Sequence, residues 1–367
     1  MKKIYCLILL AICAYTQLHA QGCVAIRQFS TAGNAVGQLN FQSKGEWTLS
    51  TNYRYFKSFR HFRGTHEEPE RVELGTEVVN WSHGIDLNAS YAFTDRIFGL
   101  VSLPFAYNER SSLYEHGRES RHSSYSKGLS DIRLGIGYWL LDQKKSSKGN
   151  LSAGLGLKLP TGDFGAESIF YNVGPSGSSI RRPVDQSIQL GDGGVGFSFE
   201  SQGLRELSPS VFGYYSAFYL FNPRNTNGTS TFRTRASEAI MSVPDQFALR
   251  SGVFLAVKKV HGLGFSLGGR IEGVPIRDIM GESEGFRRPG YAVSVEPGMS
   301  YMLKNVTASL NIPVALVRNR TRSLTDIADS TPTNFRHGDA AFADYLINFG
   351  LVWRIPKLVS SPFELKL

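Results

Sequence analysis

The chain of 367 residues contains only three cysteines, and two of them lie in a predicted signal peptide. Cys6 and Cys13 fall within residues 1–20, which have a basic start, a short apolar run and a small residue, Ala20, at the expected cleavage site. The apolar run is too short to span a bilayer, which disfavours an uncleaved anchor helix. After cleavage Cys23 is the only thiol left, so an internal disulfide framework is excluded. Lipidation of Cys23 is disfavoured because the residues before it lack the leucine of lipoprotein signals.

Long hydrophobic runs are absent from the rest of the chain. No stretch after Ala14 is apolar enough for a transmembrane helix, and the charged fraction of 19% and mean hydropathy of -0.17 exclude a helical membrane protein. Methionine is scarce, with 5 residues, whereas 38 glycines, 24 phenylalanines and 16 tyrosines are present. This composition favours strands and turns over helices.

Motifs that carry enzyme chemistry are also missing. The sequence has no P-loop, no HExxH and no paired CxxC. The run GDGGVG at 191–196 matches the dinucleotide-binding pattern, but it opens a strand instead of a helix and therefore lacks the helix N-terminus that binds pyrophosphate. A lipid-facing hydrolase would need a serine beside the outward His83, and Ser82 points the other way. We therefore predict no catalytic residue, no metal site and no cofactor.

Positive charge is not concentrated as it is in nucleic-acid-binding proteins. The formal net charge is +9, but the basic residues lie in scattered groups such as 60–63, 181–182 and 318–322. An exported chain also rarely meets DNA. We therefore predict no nucleic-acid partner.

The dominant positive signal is an alternation of apolar and polar residues with a period of two. In the segment 150–159, for example, Leu151 and Leu155 fall on one face while Gly154 and Lys158 fall on the other. Twelve segments of this kind are present, and no helical pattern of comparable length competes with them. The segment 210–221 is aromatic on both faces, so its orientation stays open. The predicted strands are 47–55, 84–93, 101–108, 131–140, 150–159, 195–200, 210–221, 246–257, 265–272, 293–301, 309–316 and 344–354.

The links between these strands alternate in length without a break. Short links follow the even-numbered strands and long polar links follow the odd-numbered ones. A soluble β-sandwich would explain the apolar face but has no reason to sort its loops by length, whereas an outer-membrane barrel has short periplasmic turns and long external loops. The sequence thus predicts an all-β, antiparallel transmembrane β-barrel of about twelve strands. The short links are 94–96, 143–149, 202–206, 260–264 and 304–305; the long ones are 60–76, 109–128, 161–192, 222–244, 277–289 and 319–340.

This pattern divides the chain into a signal peptide (1–20), an N-terminal segment (21–45), the barrel (46–355) and a C-terminal tail (356–367). Residues 21–45 are rich in glycine and glutamine without a strand period, and either fill the lumen as a plug or lie in the periplasm. Trp353 is not the last residue, which is unusual because a barrel normally ends on an aromatic residue.

The polar face of the strands is predicted to line the lumen, because a charged side chain facing hydrocarbon at mid-bilayer costs about 2–4 kcal/mol. In one interpretation these charges pair and brace the wall, which we favour for most of them; in the other they act on passing solutes. Four of them, on three consecutive strands, could form one ion-pair cluster: Arg250, Arg270, Glu272 and Glu296. The remaining candidates for solute contact are Arg54, Asp86, Arg133, Lys158 and Asp344.

Glycines on two adjacent predicted strands suggest a hollow in the wall beside Lys158. A bulky side chain, a plug segment or a solute could occupy it. The glycines are Gly135, Gly137, Gly154 and Gly156.

Residues 128–163 resemble a known family. Their pattern is a Gly-Leu-x-Asp-Ile entry, an alternating strand that ends in Tyr-x-Leu-Leu, a basic turn, and an alternating strand that ends in Lys-Leu-Pro-Thr-Gly-Asp. This hairpin resembles the family of predicted outer-membrane transporters named for the meta-pathway of phenol degradation. The resemblance implies a barrel that moves small, often aromatic or apolar, compounds. The matching positions are Gly128, Asp131, Lys158, Pro160, Gly162 and Asp163.

Together these features predict a monomeric barrel in the outer membrane of a Gram-negative bacterium that passes small apolar or aromatic solutes passively. One alternative is a structural or surface-interaction barrel whose loops contact lipopolysaccharide. A second alternative is a lipid-modifying outer-membrane enzyme. The expected partners are outer-membrane lipid, lipopolysaccharide and a small-molecule solute.

Overall fold

The computed structural model describes residues 42–142, 146 and 148–356, and in it twelve antiparallel strands close into one barrel. Each strand pairs with its neighbours in sequence, and β12 returns to pair with β1 from Trp47 opposite Ile355 to Phe62 opposite Ala340. The fold predicted from the alternation is confirmed. The strands are β1 (Trp47–Arg63), β2 (Val79–Ala92), β3 (Ile97–Ser112), β4a (His122–Leu129) with β4b (Arg133–Trp139), β5 (Gly149–Lys158), β6 (Gly196–Ser208), β7 (Val211–Phe221), β8 (Gln246–Ala256), β9 (Leu263–Val274), β10 (Gly290–Leu303), β11a (Val306–Asn311) with β11b (Val314–Asn319), and β12 (Ala340–Ile355).

Two strands are interrupted, and both parts of each occupy one position in the wall. Strand β11 breaks at Pro313, which has no N–H to donate to the ladder, and its carbonyl accepts a 3.0 Å bond from the Leu346 amide instead. Strand β4 breaks at residues 130–132, where the Ser130 amide donates to the Pro104 carbonyl at 2.7 Å. The second break brings Asp131, expected on a regular strand, into a loop-like position inside the barrel.

The two faces of the wall differ as a membrane-spanning barrel requires. On β3, Val101, Phe105 and Tyr107 point outward and are exposed, whereas Ser102 and Asn108 point inward and are buried. The backbone groups pair within the ring, so the apolar outer face can meet lipid. Strand β7, which the sequence left unoriented, turns its even-numbered residues inward: Tyr214, Ser216, Phe218 and Leu220 are buried.

The predicted alternation of turns and loops is confirmed in order, but two links differ from the prediction. The long link predicted at 109–128 is reduced to residues 113–121, because β3 extends to Ser112 and β4a begins at His122. One turn was also placed wrongly. Residues 202–206 belong to β6, which continues to Ser208, and the turn is Pro209-Ser210, with Ser210 in the left-handed region at a φ of 75°. The polar composition of the strand near its water-exposed end concealed this extension. The periplasmic turns are 93–96, 209–210, 257–262 and 304–305, together with the link between Trp139 and Gly149, of which residues 143–145 and 147 lie outside the described residues; the external loops are L1 (64–78), L2 (113–121), L3 (159–195), L4 (222–245), L5 (275–289) and L6 (320–339).

The external loops carry small elements of their own. L1 contains the short helix α1 (Glu70–Glu73), and L6 contains α2 (Leu324–Ala328), which a capping box of Ser323 and Asp326 begins. L3 forms a hairpin of Glu167–Phe170 with Ile180–Pro183, and L4 forms one of Thr226–Ser230 with Ile240–Ser242. Within the described residues, no helix has the length and apolarity needed to cross a membrane.

The chain enters β1 from the lumen side of the inner rim. The Gln42 amide donates to Thr48 Oγ1 at 2.7 Å and its carbonyl oxygen accepts from Ser90 Oγ at 3.1 Å. Both partners lie on the inward face. The predicted signal peptide, residues 21–41 of the N-terminal segment and residues 357–367 of the tail lie outside the described residues.

Candidate functional site: a lumen cavity under loop L3

Loop L3 crosses the external mouth of the barrel and is fixed there by Asp185. Arg288, which precedes β10, donates to both carboxylate oxygens of Asp185 at 2.8 Å, and Arg110 Nη2 of β3 lies 3.7 Å from Oδ2. Strands β3 and β10 lie five positions apart in the ring of twelve, so Asp185 links nearly opposite walls. We call residues 185–192 the strap.

The strap is held at further points along its length. Asn108 Nδ2 and Ser126 Oγ both donate to the Ile188 carbonyl, the first at 3.4 Å. Gln186 Nε2 donates to the Ser242 carbonyl of L4 at 2.8 Å, and Ile188 is fully buried. The strap is therefore anchored to β3, β4 and L4 as well as to the two arginines.

The side chain of Asp185 is ionised although it is buried. Burial by itself raises the pKa of Asp185, but the guanidinium groups of Arg110 and Arg288 outweigh this effect and hold the pKa well below its ordinary value. The carboxylate therefore stays ionised through the mildly acidic range, and the strap remains tied to both walls.

A cavity of about 140 Å³ lies between the strap and the barrel wall. Its lining is mainly polar and comes from β2 to β5, β8, L4, L5 and the strap, with apolar side chains from β1, β9, L4 and the strap among them. Polar residues such as Asn227, Ser242 and Gln246 belong to the same lining as the apolar residues of L4 and β9. The main polar lining residues are Ser82, Asn108, Ser130, Asp131, Arg133, Lys158 and Asp192; the apolar ones are Phe56, Leu190, Met241, Pro244 and Val274.

The residues that carry the family resemblance meet at the foot of the strap. Lys158 Nζ contacts Asp192 Oδ1 and lies 3.6 Å from Asp131 Oδ2, and Asp131 Oδ1 accepts a 3.0 Å bond from the Gly162 amide. A Cβ atom on Gly162 would lie 2.6 Å from the Leu190 carbonyl oxygen, so only glycine fits. Lys158 thus pairs with two carboxylates at the cavity wall.

The run 191–196 performs a structural role in this arrangement. Asp192, its second residue, is the carboxylate that contacts Lys158, and the Asp192 amide donates to Asp131 Oδ2 at 3.2 Å. Strand β6 begins at Gly196. The match to the dinucleotide pattern therefore marks the return of L3 into the barrel wall.

The four charges predicted as one cluster do come together, away from the cavity lining. Arg250 of β8 donates from Nε to Glu296 Oε2 of β10 at 3.1 Å, and Arg270 Nη1 of β9 lies 3.8 Å from the same oxygen. Arg270 also contacts Glu272 on its own strand. All four side chains are buried, which is the arrangement expected of wall bracing.

The other candidates for solute contact lie in different surroundings. Arg54 Nε donates to Asn348 Oδ1 at 3.1 Å, and Asp344 accepts from Arg60 at 2.9 Å and from Arg318 at 3.0 Å. Asp86 is half-buried on the inward face of β2, opposite Asn52 and Pro104 in register. Among the nine candidates, the cavity lining includes Arg133 and Lys158.

At one of the four glycines of the predicted hollow, Gly137, a side chain of the protein fills the space. A Cβ atom on Gly137 would lie 2.2 Å from the ring of Phe98, which packs with Trp139 and Leu204 inside the periplasmic half. The Arg133 guanidinium reaches across from β4 to within 5.5 Å of the Phe218 ring on β7. Sequence reasoning missed these inward aromatics because apolar side chains on the predicted polar face carry no periodic signal.

His83 lies on the outer face of the barrel among aromatic side chains. Its Nδ1 is 2.8 Å from Tyr53 Oη, and its ring lies 4.9 Å from that of Tyr55. Such a cluster is typical of the interfacial girdle of membrane proteins.

Comparison with known proteins shows which solved structures share this fold. No protein-family model matches the chain, and no curated protein matches it either. The barrel has the fold of a solved outer-membrane channel. The COG4313 outer membrane channel from Pseudomonas putida F1 superposes with a TM-score of 0.56 at 10% identity, over 86% of this chain and 98% of the channel. At the level of fold, this likeness agrees with the resemblance of residues 128–163.

Two further solved barrels match with lower scores. A FadL homologue from Pseudomonas aeruginosa has a TM-score of 0.42 at 8% identity, over 91% of this chain and 99% of its own. The toluene transporter TodX from Pseudomonas putida has a TM-score of 0.43 at 9% identity, over 91% of this chain and 96% of its own.

Proposed function

We propose that the protein is a monomeric outer-membrane channel that passes small apolar or aromatic molecules passively. The observation that carries this proposal is the cavity of about 140 Å³ in the lumen, which is lined by polar and apolar residues and lies under the strap. A barrel that only stiffened the membrane would gain nothing from a solute-sized space in its lumen.

The strap makes the proposed channel a gated one. Its ties to Arg110 and Arg288 cross the mouth, so a solute enters when the strap moves or when it passes between L3 and L4. The solved outer-membrane channel of similar fold supports the same class of function.

We expect lipopolysaccharide to surround the outer face of the barrel. The exposed Lys57 lies there, with its Nζ 5.7 Å from the centre of the Trp81 ring, and its positive charge can pair with a lipid phosphate.

Flux through the purified protein tests the proposal. Liposomes containing the full chain should swell in small neutral aromatic alcohols and sugars of similar size, and planar bilayers should show discrete current steps. Heat-modifiable gel mobility confirms that the barrel is folded in each preparation. A folded barrel that passes no solute would contradict the channel and favour a structural role.

The enzyme alternative has its own readout in the same preparation. We expect no lipid hydrolysis by the purified protein. Hydrolysis that disappears in His83→Ala would contradict the channel proposal and favour a lipid-modifying enzyme.

A further inference from the structure

We propose that a second cavity, among the external loops, binds a phosphate group, either as the free ion or as part of a larger molecule. This cavity has a volume of about 50 Å³, and its lining comes from L1, L2, L4, L5 and L6 and from the external ends of β1, β3 and β12. One buried water needs about 10–15 Å³, so the cavity has room for an ion with several oxygen atoms. We call it the arginine chamber, because five arginines line it: Arg110, Arg233, Arg235, Arg288 and Arg320.

The arginine chamber has more cationic donors than acceptors in its lining. Among the described residues, two carboxylates belong to that lining, and each has a basic partner of its own. Glu238 accepts from Arg235 Nη2 at 2.5 Å, and Asp339 Oδ2 lies 2.6 Å from His61 Nδ1. The other carboxylates that contact the five arginines do not line the chamber; they are Glu115, Asp185, Asp326 and Asp329.

Arg233 of L4 has the largest unused capacity to bind an anion. Its guanidinium group makes no hydrogen bond among the described residues, and Glu238 Oε2 lies 3.6 Å from its Nη1, too far for one. The guanidinium carbons of Arg233 and Arg288 lie 3.8 Å and 4.7 Å from the centre of the same Phe286 ring. Two cations therefore share one ring at the chamber, and burial together with the charge of Arg288 lowers the pKa of Arg233. An anion between them would offset this repulsion.

Arg320 of L6 adds a buried cation that is also incompletely paired. Its side chain is 2% exposed, and its Nε has no hydrogen-bond partner among the described residues. Its Nη2 donates to Asp326 Oδ2 at 3.3 Å, but the same carboxylate lies 3.6 Å from Arg235 Nη2 and is shared between the two arginines. A buried donor without an acceptor is costly, which favours a ligand that brings acceptors to this part of the fold.

The backbone that carries Arg233 into the chamber is held in an unusual conformation. Phe232 has a φ of 56°, in the left-handed region that a bulky residue rarely adopts. The Phe232 amide donates to Ser230 Oγ and the Arg233 amide to Thr231 Oγ1, both at 3.2 Å, so the turn is held by its own side chains. Strain of this kind persists at ligand-binding sites, where the surrounding structure imposes it.

The arrangement of the arginines favours phosphate over other small anions. Guanidinium groups bind phosphate and carboxylate oxygens through paired N–H donors, whereas chloride offers no such pair. The five arginines come from β3, L4, L5 and L6 and therefore approach the chamber from different sides. A tetrahedral phosphate presents acceptors in several directions, but a carboxylate presents them in one plane.

Calorimetry on the full-length protein in detergent, at pH 7 and constant ionic strength, tests this inference with inorganic phosphate as the probe. We expect one phosphate to bind per barrel and acetate to bind at least tenfold more weakly. No phosphate binding by a barrel with heat-modifiable gel mobility would overturn the inference and leave the chamber as a space for water. Equal binding of acetate would also overturn it.

Matched arginine variants identify the site. Arg233→Gln should weaken phosphate binding about tenfold to a hundredfold, because it removes charge-assisted hydrogen bonds, and Arg233→Lys should fall between this variant and the wild type. Arg181→Gln is the control, because Arg181 pairs with Glu167 at 3.1 Å on the exposed surface of L3 and does not line the chamber. Unchanged affinity in Arg233→Gln, or an equal loss in Arg181→Gln, would overturn the assigned site.

Competition distinguishes the two sources of the phosphate group. Lipopolysaccharide and its dephosphorylated form are each added to the phosphate-loaded protein. Displacement by the intact form alone assigns the chamber to a lipopolysaccharide phosphate, and displacement by neither assigns it to the free ion. Equal displacement by the dephosphorylated form would contradict a phosphate site. Binding in detergent involves no flux, so the outcome is independent of whether the barrel passes solutes.

Discussion

The ion pairs of Asp185 tie the strap to the barrel wall, and from them we predict how much Asp185→Asn changes the open probability of the channel. Asparagine keeps the shape of the side chain and its bond from the Ser187 amide, which is 3.0 Å from Oδ1 in the wild type. It removes the negative charge, so the Arg288 fork meets one amide oxygen in place of two carboxylate oxygens at 2.8 Å. The change therefore acts on the tie across the mouth and leaves the local turn in place.

The size of the effect follows from the charge-assisted bonds that are lost. A hydrogen bond to a charged group contributes about 1.5–3 kcal/mol, and breaking a buried ion pair costs about 3–5 kcal/mol. Asparagine keeps part of the hydrogen-bond energy because one amide oxygen still accepts from Arg288. We therefore expect the closed state to be destabilised by about 3 kcal/mol. That value raises the ratio of open to closed strap roughly a hundredfold.

Single-channel recording in planar bilayers measures this ratio directly as open probability. We expect the Asp185→Asn channel to be open far more often than the wild type at unchanged single-channel current. Glu167→Gln is the matched control in the same loop, because its 3.1 Å pair with Arg181 is exposed and such pairs contribute little. An unchanged open probability in a heat-modifiable, folded Asp185→Asn barrel would refute the idea that this carboxylate holds the mouth closed.

Three further predictions concern the wall, loop L2 and the N-terminal segment. Glu296→Gln should lower the free energy of unfolding in urea by about 3–5 kcal/mol, because Arg250 then keeps a buried charge without its carboxylate. Burial lowers the pKa of His116 to about 4, so the folded protein binds fewer protons than the unfolded chain between about pH 6.5 and 4, and stability around L2 falls as the pH drops through this window. Hydrogen exchange of the Tyr171 amide, which donates to His116 Nδ1 at 3.1 Å, should show this loss once corrected for the intrinsic pH dependence. Residues 21–41 lie outside the described residues, and labelling of Cys23 by a membrane-impermeant maleimide distinguishes the two placements that the sequence leaves open: a plug should slow labelling in the folded barrel relative to urea.

Each of these predictions has an outcome that would contradict it. Glu282→Gln, on an exposed loop residue, is the control for the wall variant, and equal unfolding curves for both would show that the cluster does not brace the barrel. A protection factor of the Tyr171 amide, corrected for the intrinsic exchange rate, that does not change between pH 7 and 4.5 would show that His116 keeps its bond when the solution becomes acidic. Equal labelling rates of Cys23 in folded and unfolded protein would place the segment in the periplasm.

The strands were predictable because each one has a face in lipid and a face in the lumen. That asymmetry imposes the period of two on β5, where Leu155 points out and Gly156 and Lys158 point in. The boundaries were less predictable. The turn after β6 was misplaced because polar residues near water follow no period, and the break in β4 leaves no comparable trace. The break in β11 did leave a signal, Pro313, which the alternation of its neighbours outweighed.

The cavity could be predicted only in part. Lys158 and Arg133 were found because a charge on a membrane strand must avoid lipid. The partners of the strap were not, since Asp185 and Arg288 are 103 residues apart and both lie in polar loops. Loop residues satisfy their charges through tertiary contacts, and no local pattern records which contact forms.

Local sequence patterns were enough to predict the class of this protein, an antiparallel barrel of twelve alternating strands whose links alternate between short and long. These properties depend on local composition and on the solvent that each face meets. Three features emerged only from the folded chain: L3 crosses the mouth, Asp131 and Asp192 share Lys158, and a cavity of about 140 Å³ remains beneath the strap. Those features depend on which distant residues the closed ring brings within a few ångströms of each other, and ring closure is a property of the whole chain.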